Sequence, residues 1–393
     1  MQEVVIVQAC RTAFGRFGGA LRNESPIDLA STLLTAVLEK SGVKGADVQH
    51  VVMGHVVATA PDDVYLPRWA SMRAGVSHKA PAMTVNRLCG SGMQAIIAAA
   101  QGITLGEGPI ALAGGVESVS RIPHLVSVQR WEVPTEKAAL VDMLNDIFIQ
   151  PFDHRHVGVT GDTVARRYGI SRADQDELAL ESHRRAHRAI EQGHFRTQLV
   201  PVSVKTERGE RLFDRDECVR ADISLAKLAS LEPAFDPEGG SVTAGNTLAL
   251  ADGAAAVLLM SAEQARQHGL TPLARVVSWG HAGVEPHLAG MGPVPATQIA
   301  LRRAGLSVSD LDVIELNESF AAQVCAVMLE LKLDPVNVNP NGSGISLGHP
   351  FGATGAALVV KTVHELVRTQ GRYGLATMCL AGGQGIAMVL ERS

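Results

Sequence analysis

The chain has few aromatic residues and no long uninterrupted apolar stretch. Phe, Trp and Tyr make up only 4% of its 393 residues, whereas hydrophobic residues as a whole make up 46% and charged residues 19%. This composition is typical of a soluble globular protein built on small aliphatic side chains. The most apolar stretches, near 93–105 and 247–261, are interrupted by Gln, Gly, Asp or Thr. We therefore predict no membrane-spanning segment.

Positive charge is not in excess, and the cysteines form no recognisable pair. With 35 Lys and Arg against 40 Asp and Glu, the chain should attract neither nucleic acid nor an anionic membrane, so any anion site must be local. Five cysteines without a Cys-x-x-Cys pair argue against a disulfide framework and a structural zinc site. We predict no bound metal, a reducing compartment and, because the N-terminus has no secretory signal pattern, a cytoplasmic location.

Chain length and hydrophobic pattern predict a two-part α/β protein. The length favours two or more domains, or two fused copies of one. Short β-branched runs alternate with helical patterns up to about 118 and again from about 250. Between them, 119–249 is richer in Arg, His, Asp and Gln, which indicates an inserted, more solvated segment. Strand ends at Ile110–Gly115 and Ala376–Gly383 echo each other and are weak evidence for duplication.

Two of the cysteines and one histidine stand in glycine-rich settings. Cys89 lies in Asn-Arg-Leu-Cys-Gly-Ser-Gly, Cys379 lies in Met-Cys-Leu-Ala-Gly-Gly-Gln-Gly, and His349 lies between them in Gly-His-Pro-Phe-Gly. Backbone amides can approach a reacting carbonyl only where no side chain blocks them, so such glycines are typical of an oxyanion hole. The pattern predicts acyl transfer through a thioester.

Each of these side chains has a predicted role and a structural alternative. Cys89 falls where a strand gives way to a helix, so we expect the helix-start amides to lower its pKa and favour the thiolate nucleophile. His349 is a candidate base for a cysteine proton. Asn317 follows the predicted strand Val313–Leu316, at the strand end where α/β folds place their sites. The alternatives are core cysteines, a core histidine and a helix N-cap.

Together these motifs resemble the thiolase family, the acetyl-CoA C-acyltransferases, over essentially the whole chain. The resemblance rests on five ordered blocks: Arg11-Thr-Ala-Phe-Gly-Arg-Phe-Gly-Gly, Cys89-Gly-Ser-Gly, Asn317-Glu-Ser-Phe-Ala-Ala-Gln, Gly348-His-Pro-Phe-Gly-Ala-Thr-Gly and Cys379-Leu-Ala-Gly-Gly-Gln-Gly. It implies a thiolase fold, with two duplicated βα halves in an αβαβα layered sandwich and an inserted loop domain. The implied boundaries are 1–118 plus 250–270 for the N-terminal half, 119–249 for the CoA-binding loop domain and 271–393 for the C-terminal half. A homodimer or homotetramer is also implied.

The resemblance further implies a reversible Claisen condensation of acyl-CoA with acetyl-CoA, whose reverse is CoA-dependent thiolysis of 3-ketoacyl-CoA, in fatty acid metabolism such as beta-oxidation. Cys89 would carry the acyl group with His349 as its base, and Cys379 would remove an α-proton from acetyl-CoA. One oxyanion hole would combine His349 with a water held by Asn317, and the other would use the backbone amides of Cys89 and Ala381. No bound cofactor is expected, because the CoA thioesters are substrates.

Matches to the family's CoA-binding positions lie mainly in the inserted segment. Arg220 matches a position near the adenosine phosphate, although a solvated surface arginine is an equal alternative. Positions along the pantetheine arm are matched by His156, Phe235, Ala244 and Phe320.

The chain departs from the family at several binding positions. Leu248 stands where a serine is usual, so a hydrogen bond to the pantetheine arm is lost. Val157 and Ala289 stand where acetoacetyl-CoA thiolases usually have methionine, which predicts a larger acyl pocket, and 145–155 also departs from the usual pattern. The predicted activity is acetyl-CoA C-acetyltransferase, and the alternative is a degradative 3-ketoacyl-CoA thiolase of broader chain length.

Two further alternatives belong to other functional classes. Ketoacyl synthases and hydroxymethylglutaryl-CoA synthases also use an acyl-cysteine but lack the second cysteine block. A non-catalytic acyl-CoA carrier on the same fold would be expected to lose Cys89, His349 or Cys379, and all three are present.

Overall fold

The computed structural model describes residues 2–127, 131, 139–207 and 209–393. The strands in those ranges are β1 (Val4–Thr12), β2 (Gly15–Arg16), β3 (His50–Gly54), β4 (Ala82–Val85), β5 (Ile110–Ser118), β6 (His124–Ser127), β7 (Ala139–Asp142), β8 (Leu199–Val200), β9 (Val202–Thr206), β10 (Gly209–Phe213), β11 (Ala251–Ser261), β12 (Ala274–Gly283), β13 (Val313–Leu316), β14 (Tyr373–Leu380) and β15 (Gln384–Arg392). The helices are α1 (Pro26–Ser41), α2 (Leu66–Arg73), α3 (Ser91–Leu105), α4 (Met143–Asp146), α5 (Val159–Tyr168), α6 (Arg172–Glu191), α7 (Leu225–Ala229), α8 (Ala262–Gln267), α9 (Pro293–Ala304), α10 (Ala321–Leu331) and α11 (Phe351–Thr369).

The main sheet consists of two halves that meet at β1 and β12. Its strand order is β13-β14-β15-β12-β1-β11-β5-β3-β4, and β1 pairs with β12 through only two residue pairs, Val5 with Arg275 and Ile6 with Ala274. In the first half, β3 runs parallel to β4 and β5, and β11 runs antiparallel to β5 and β1. In the second half, β13 runs parallel to β14, and β15 runs antiparallel to β14 and β12.

The two halves repeat one connectivity, which confirms the expected duplication of a βα unit. The first half runs β1-α1-β3-α2-β4-α3-β5-β11, and the second runs β12-α9-β13-α10-α11-β14-β15. Where the first half has β4 beside β3, the second has a parallel bridge between Val338 and Ile314. The strand-end echo therefore corresponds to β5 and β14, each of which follows one of the two central helices, α3 or α11.

Helices and sheet halves stack in five layers. Helices α3 and α11 pack against each other between the two sheet halves and share one apolar core with both. On the outer faces, α1 and α2 cover the first half and α9 and α10 cover the second. The segment Leu88–Leu105, which contains α3, is apolar and long enough to cross a membrane, and in this fold it packs between the two sheet halves.

Small residues allow the two central helices to approach closely near their starts. A Cβ at Gly92 would lie 2.7 Å from the carbonyl oxygen of Gly352, and a Cβ at Gly355 would lie 2.7 Å from the backbone nitrogen of Met93. A Cβ atom does not pack this close to a backbone atom, so a larger residue at either position would push the helices apart. The contact holds the segments that precede α3 and α11, and therefore Cys89 and His349, side by side.

The inserted segment packs on both halves, and its helices α5 and α6 lie against α10 of the second half. It contains β6 to β10 and α4 to α7, and β8 pairs with β1. Arg11 on β1 donates two hydrogen bonds to Asp216 in the insert, at 2.7 and 2.8 Å, with both side chains buried. This buried ion pair links the first sequence block to the inserted segment. The proposed domain boundaries at 118, 249 and 270 stay a prediction, and part of the insert, 128–130, 132–138 and 208, lies outside the described residues.

Candidate active site

A single cavity of about 240 Å³ brings together the reactive side chains that are distant in sequence. Cys89, His349, Cys379 and Ala381 all line it. Its other lining residues are Val56, Val57, Asn86, Leu88, Met143, Ile147, Phe148, Val157, Thr160, Leu248, Ala289, Gly290, Ser319, Phe320, Phe351 and Leu380. No Asp, Glu, Lys or Arg is among the described residues that line it, so the cavity is uncharged and mostly apolar, with Asn86, Thr160 and Ser319 as polar lining beside the reactive groups.

Cys89 sits at a sharp turn between β4 and α3. The preceding residue, Leu88, has a φ of +49°, a conformation that costs energy for a residue with a branched side chain and that is found where a functional group must be aimed. The turn presents the Cys89 thiol to the cavity just before the first residue of α3. The position therefore agrees with the predicted strand-turn-helix.

The expectation that the helix start lowers the pKa of Cys89 is wrong. Burial raises the pKa of the Cys89 thiol to about 12, and the neighbouring Cys379 raises it further. The backbone amides of Ala381 and of Cys89 itself oppose this rise but do not overcome it. In an apolar cavity, the cost of desolvating a thiolate exceeds what nearby amides return. Cys89 is therefore a neutral thiol at rest and needs a base.

His349 presents an unprotonated ring nitrogen to the cavity. Thr354 Oγ1 lies 2.7 Å from His349 Nδ1 and donates its own hydrogen to the carbonyl oxygen of Pro350, at 3.0 Å. Since that hydroxyl has only one hydrogen, it must accept from Nδ1–H, which leaves Nε2 as the acceptor. Nε2 is buried and has no hydrogen-bond partner among the described residues. Burial also lowers the pKa of His349 to about 4, so the ring is a neutral base.

Cys379 ends β14 and is held by a hydroxyl. Its Sγ donates to Ser319 Oγ at 3.3 Å. Burial raises the pKa of the Cys379 thiol, and the hydrogen bond with Ser319 lowers it in part. Gly382 and Gly383 follow with φ of +75° and +81°, and this left-handed turn brings the Ala381 amide back toward Cys89.

Asn317 lies behind Ser319 rather than in the cavity wall. It is fully buried just after β13, and its Nδ2 donates to Ser319 Oγ at 3.0 Å. Within the part of the chain that the structure describes, its Oδ1 has no hydrogen-bond partner. It is not the N-cap of α10, because that helix has Phe320 at its N-cap. Its role in holding a water stays a prediction.

A buried carboxylate connects two walls of the cavity. Glu117, at the end of β5, accepts from the backbone nitrogens of Gly352 at 2.8 Å, Val56 at 3.0 Å and Val57 at 3.1 Å. Gly352 is in the first turn of α11, whereas Val56 and Val57 line the cavity from the loop after β3. Glu117 therefore fixes that loop relative to the segment that carries His349.

Four of the predicted binding residues, Val157, Leu248, Ala289 and Phe320, line the cavity. The sequence analysis missed four larger apolar residues of the same wall, Met143, Ile147, Phe148 and Phe351. Ile147 and Phe148 lie within 145–155, the stretch that departs from the family pattern, and Met143 lies just before it. No sequence periodicity marks these residues as part of a cavity. The apolar wall therefore extends beyond Val157 and Ala289, the two positions where acetoacetyl-CoA thiolases usually have methionine.

His156 and Phe235 lie beside the cavity in a continuous series of ring contacts. The His156 and Phe235 rings stack with centroids 4.5 Å apart, and Phe148 contacts His156 at 5.5 Å. The series continues from Phe148 to Phe351 at 5.6 Å and from Phe351 to His349 at 5.5 Å. These rings form an apolar path from the surface to the reacting groups.

The remaining predicted binding residues lie further out. Ala244 is exposed in the segment that leads to Leu248. Arg220 is exposed and does not line the cavity, and its backbone nitrogen donates to His183 Nδ1 at 3.1 Å. Among the described residues, no group of three or more His, Cys, Asp or Glu is arranged to hold a metal ion.

Two polar residues at the reacting centre were missed, although both stand inside motifs that the sequence displays. Ser319 is the third residue of Asn317-Glu-Ser-Phe, and Thr354 is the seventh of Gly348-His-Pro-Phe-Gly-Ala-Thr. Their contacts with Cys379 and His349 depend on how the chain folds, because a serine or threonine in a motif gives no sign of which group it bonds.

The sequence matches family models along nearly its full length. The model described as "Thiolase, N-terminal domain" matches residues 4–263, and the one described as "Thiolase, C-terminal domain" matches residues 270–392. Among curated relatives, the chain is similar to beta-ketothiolase BktB of Cupriavidus necator, with 56% identity over 100% of this chain and 99% of that one. It is also similar to an acetyl-CoA acetyltransferase of the same organism, with 43% identity over 100% of both chains.

Solved structures share the fold closely. Human mitochondrial 3-ketoacyl-CoA thiolase superposes with a TM-score of 0.97 at 38% identity, over 100% of this chain and 99% of that one. The acetyl-CoA acetyltransferase of Bacillus anthracis superposes with a TM-score of 0.97 at 43% identity, again over 100% and 99%. A structure of the human protein in complex with CoA superposes with a TM-score of 0.96 at 38% identity, over 100% and 98%.

We expect Thr354→Val to make Cys89 less reactive. Without the hydroxyl, the imidazole is free to protonate Nε2, and the buried thiol loses its acceptor. The rate of Cys89 alkylation by iodoacetamide at pH 7, followed by peptide mass spectrometry, should fall about tenfold, the order expected for one buried hydrogen bond.

The matched control is Thr362→Val, on the same helix, whose hydroxyl donates to the Leu358 carbonyl at 2.8 Å. It should leave Cys89 alkylation unchanged. Equal rates in Thr354→Val and wild type would refute the tautomer assignment.

Proposed function

The chain belongs to the thiolase family and is an acyltransferase, and on this premise we propose that its cavity catalyses the reversible condensation of an acyl-CoA with acetyl-CoA. The observation that carries this proposal is the meeting of Cys89, His349 and Cys379 in one cavity without charged residues. Two thiols and one neutral base suffice for both half-reactions, the transfer of the acyl group to Cys89 and the formation of the carbon–carbon bond. The pantetheine arm of CoA would lie along the apolar path that contains His156, Phe235 and Leu248.

In the first half-reaction, Cys89 Sγ attacks the thioester carbonyl. Its proton moves to His349 Nε2 as the sulfur–carbon bond forms, because neither a free thiolate nor an imidazolium is stable in this cavity beforehand. The carbon–sulfur bond to CoA then breaks, and CoA leaves with the proton from His349. The acyl group remains on Cys89.

In the second half-reaction, Cys379 passes its thiol proton to His349 Nε2, and the resulting thiolate removes an α-proton from acetyl-CoA. The enolate attacks the acyl carbonyl on Cys89, the new carbon–carbon bond forms, and the bond to the Cys89 sulfur breaks. Cys89 recovers its proton from Cys379, and Cys379 recovers its own from His349. Thiolysis of a 3-ketoacyl-CoA follows the same steps in reverse.

Two groups of donors would stabilise the negative oxygen atoms. The amides of Cys89 and Ala381, which already reach the Cys89 thiol, would bind the oxyanion of the acyl group. The enolate oxygen would accept from His349 Nε2–H, which carries the proton taken from Cys379, and from a water that also donates to Asn317 Oδ1. The unpartnered state of both Oδ1 and His349 Nε2 supports this assignment.

We expect the two thiols to be separable by their half-reactions. With acetyl-CoA, Cys379→Ala should still gain an acetyl group on Cys89, seen as a mass shift of the intact protein. Its condensation rate should fall on the order of 10²–10⁴-fold, the contribution typical of a general base. Cys89→Ala should gain no acetyl group.

Cys325→Ala is the control, since Cys325 is a half-buried thiol on α10 outside the cavity. It should acetylate and condense like the wild type. Equal loss of acetylation in Cys89→Ala and Cys379→Ala would contradict the division of labour.

We propose further that the enzyme accepts acyl groups longer than acetyl. Val157 and Ala289 line the cavity, and replacing methionine by either residue leaves additional volume beside Cys89. The remaining wall is apolar, with Met143, Ile147 and Phe148, which suits an alkyl chain. The size of this wall therefore favours the alternative of a 3-ketoacyl-CoA thiolase of broader chain length.

We expect the double variant Val157→Met, Ala289→Met to favour short substrates. Its kcat/KM for 3-ketohexanoyl-CoA should fall roughly 10–100-fold relative to that for acetoacetyl-CoA, the range that one or two misplaced methylenes produce. Val336→Met, at an exposed position outside the cavity, should leave the ratio unchanged. The proposal would be refuted if the wild-type enzyme cleaved acetoacetyl-CoA but did not cleave any 3-ketoacyl-CoA with a longer acyl chain.

We also propose that two copies of the chain associate through β4. This strand ends the sheet, and only β3 pairs with it in the described residues, so one row of its backbone groups is free to bond. Apolar side chains surround it, with Met83, Trp69 and Tyr65 exposed by 42%, 57% and 65%. Pairing of two β4 edges about a twofold axis would cover these side chains and extend the sheet.

We expect Met83→Lys to disrupt this dimer, because two lysines would meet near the axis. Sedimentation velocity should show a dimer or tetramer for the wild type and a shift to monomer for the variant. Leu329→Lys, at a more exposed apolar position on α10, should not change the mass. A monomeric wild type, or a Met83→Lys variant that stays dimeric, would contradict the proposal.

A further inference from the structure

Ser319 is the one hydroxyl in direct contact with a reactive thiol among the described residues of the cavity. It is buried, lines the cavity, and lies between two donors. Asn317 Nδ2 donates to its Oγ at 3.0 Å, and Cys379 Sγ donates to it at 3.3 Å. Asn317 therefore holds the hydroxyl oxygen beside the sulfur.

The Ser319 hydroxyl can still donate one hydrogen bond. Its oxygen already accepts two hydrogen bonds, and its own hydrogen has no acceptor among the described residues. If Cys379 loses its proton, the bond from Sγ disappears, and a small rotation about the Cβ–Oγ bond turns the serine hydrogen toward the sulfur. The contact can thus reverse direction while both heavy atoms stay in place.

We propose that Ser319 is a positioning residue that donates its hydroxyl hydrogen to the Cys379 thiolate and so stabilises the base that abstracts the α-proton. The inference rests on the proposed function, in which Cys379 is that base. Asn317 takes part by fixing the Ser319 oxygen. No new bond is made or broken in the step, apart from the proton that Cys379 loses and later regains.

The surroundings of Cys379 leave few other groups to stabilise a thiolate. The titratable side chains that share the cavity are Cys89, before α3, and His349, before α11, and both are neutral at rest. On the segment after β13, Glu318 directs its carboxylate to Ser182 and Asn339, away from the cavity. Desolvation raises the pKa of the Cys379 thiol, whereas Ser319 is the side chain that lowers it.

The test compares Ser319→Ala with Ser319→Thr in a Cys89→Ala background, where acyl transfer cannot mask the reactions of Cys379. The first readout is the pH dependence of Cys379 alkylation by iodoacetamide. The second is the loss of deuterium from the methyl group of deuterated acetyl-CoA into water. The Ser319 hydroxyl forms a stronger hydrogen bond with the charged thiolate of Cys379 than with its neutral thiol, so its loss should move both profiles to higher pH.

We expect Ser319→Ala to shift the alkylation midpoint upward by about one pH unit, and to slow deuterium exchange about tenfold below that midpoint. Ser319→Thr keeps a hydroxyl and should restore the wild-type midpoint. Ser278→Ala is the matched control, because Ser278 is also buried but donates to the Ala300 carbonyl at 2.7 Å, outside the cavity.

If Ser319→Ala left the midpoint of Cys379 alkylation unchanged while Cys379→Ala abolished deuterium exchange, the role of Ser319 would be overturned and the proposed function would stand. Deuterium exchange that survives in Cys379→Ala would instead overturn the proposed function. A general packing defect would lower the rates in Ser319→Ala and Ser319→Thr alike without moving the midpoint, and would also overturn the inference.

Discussion

The close contact between α3 and α11 is the constraint on which the rest of the site depends. Glycines at 92 and 355 let the first turns of the two helices approach to a distance that no larger residue would permit. Cys89 precedes one helix and His349 precedes the other, so the helix contact sets the distance between nucleophile and base. Glu117 strengthens the arrangement by bonding the start of α11 to the loop after β3.

Desolvation governs the chemistry of this site more than helix dipoles do. No charged side chain is among the described residues that line the cavity, and burial raises the pKa of both thiols while it lowers that of His349. All three groups are therefore neutral at rest, and charge develops only during reaction. Under these conditions the placed donors matter most, namely the Ala381 amide, the Ser319 hydroxyl and Thr354, which sets the tautomer of the base.

Duplication explains why the two cysteines meet. Each half of the molecule carries a central helix followed by a strand, and the halves face each other across the layer formed by α3 and α11. Cys89 comes from the turn before the central helix of the first half, whereas Cys379 comes from the end of the strand that follows the central helix of the second. The insert adds the third wall, since Phe148, His156 and Val157 belong to it.

The sequence by itself determined the fold class, the duplication and the identity of the reactive groups. Alternating strand and helix patterns and glycine-flanked Cys89, His349 and Cys379 are local features, and local chemistry is what a sequence displays. Only the tertiary structure decided the protonation states, because burial depends on distant segments, and the sequence-based expectation for the pKa of Cys89 was wrong for that reason. It also decided which partners Ser319 and Thr354 have, that Asn317 stands behind the cavity wall, and which apolar residues form that wall. These properties arise from contacts between residues far apart in the chain, and no spacing within a motif encodes them.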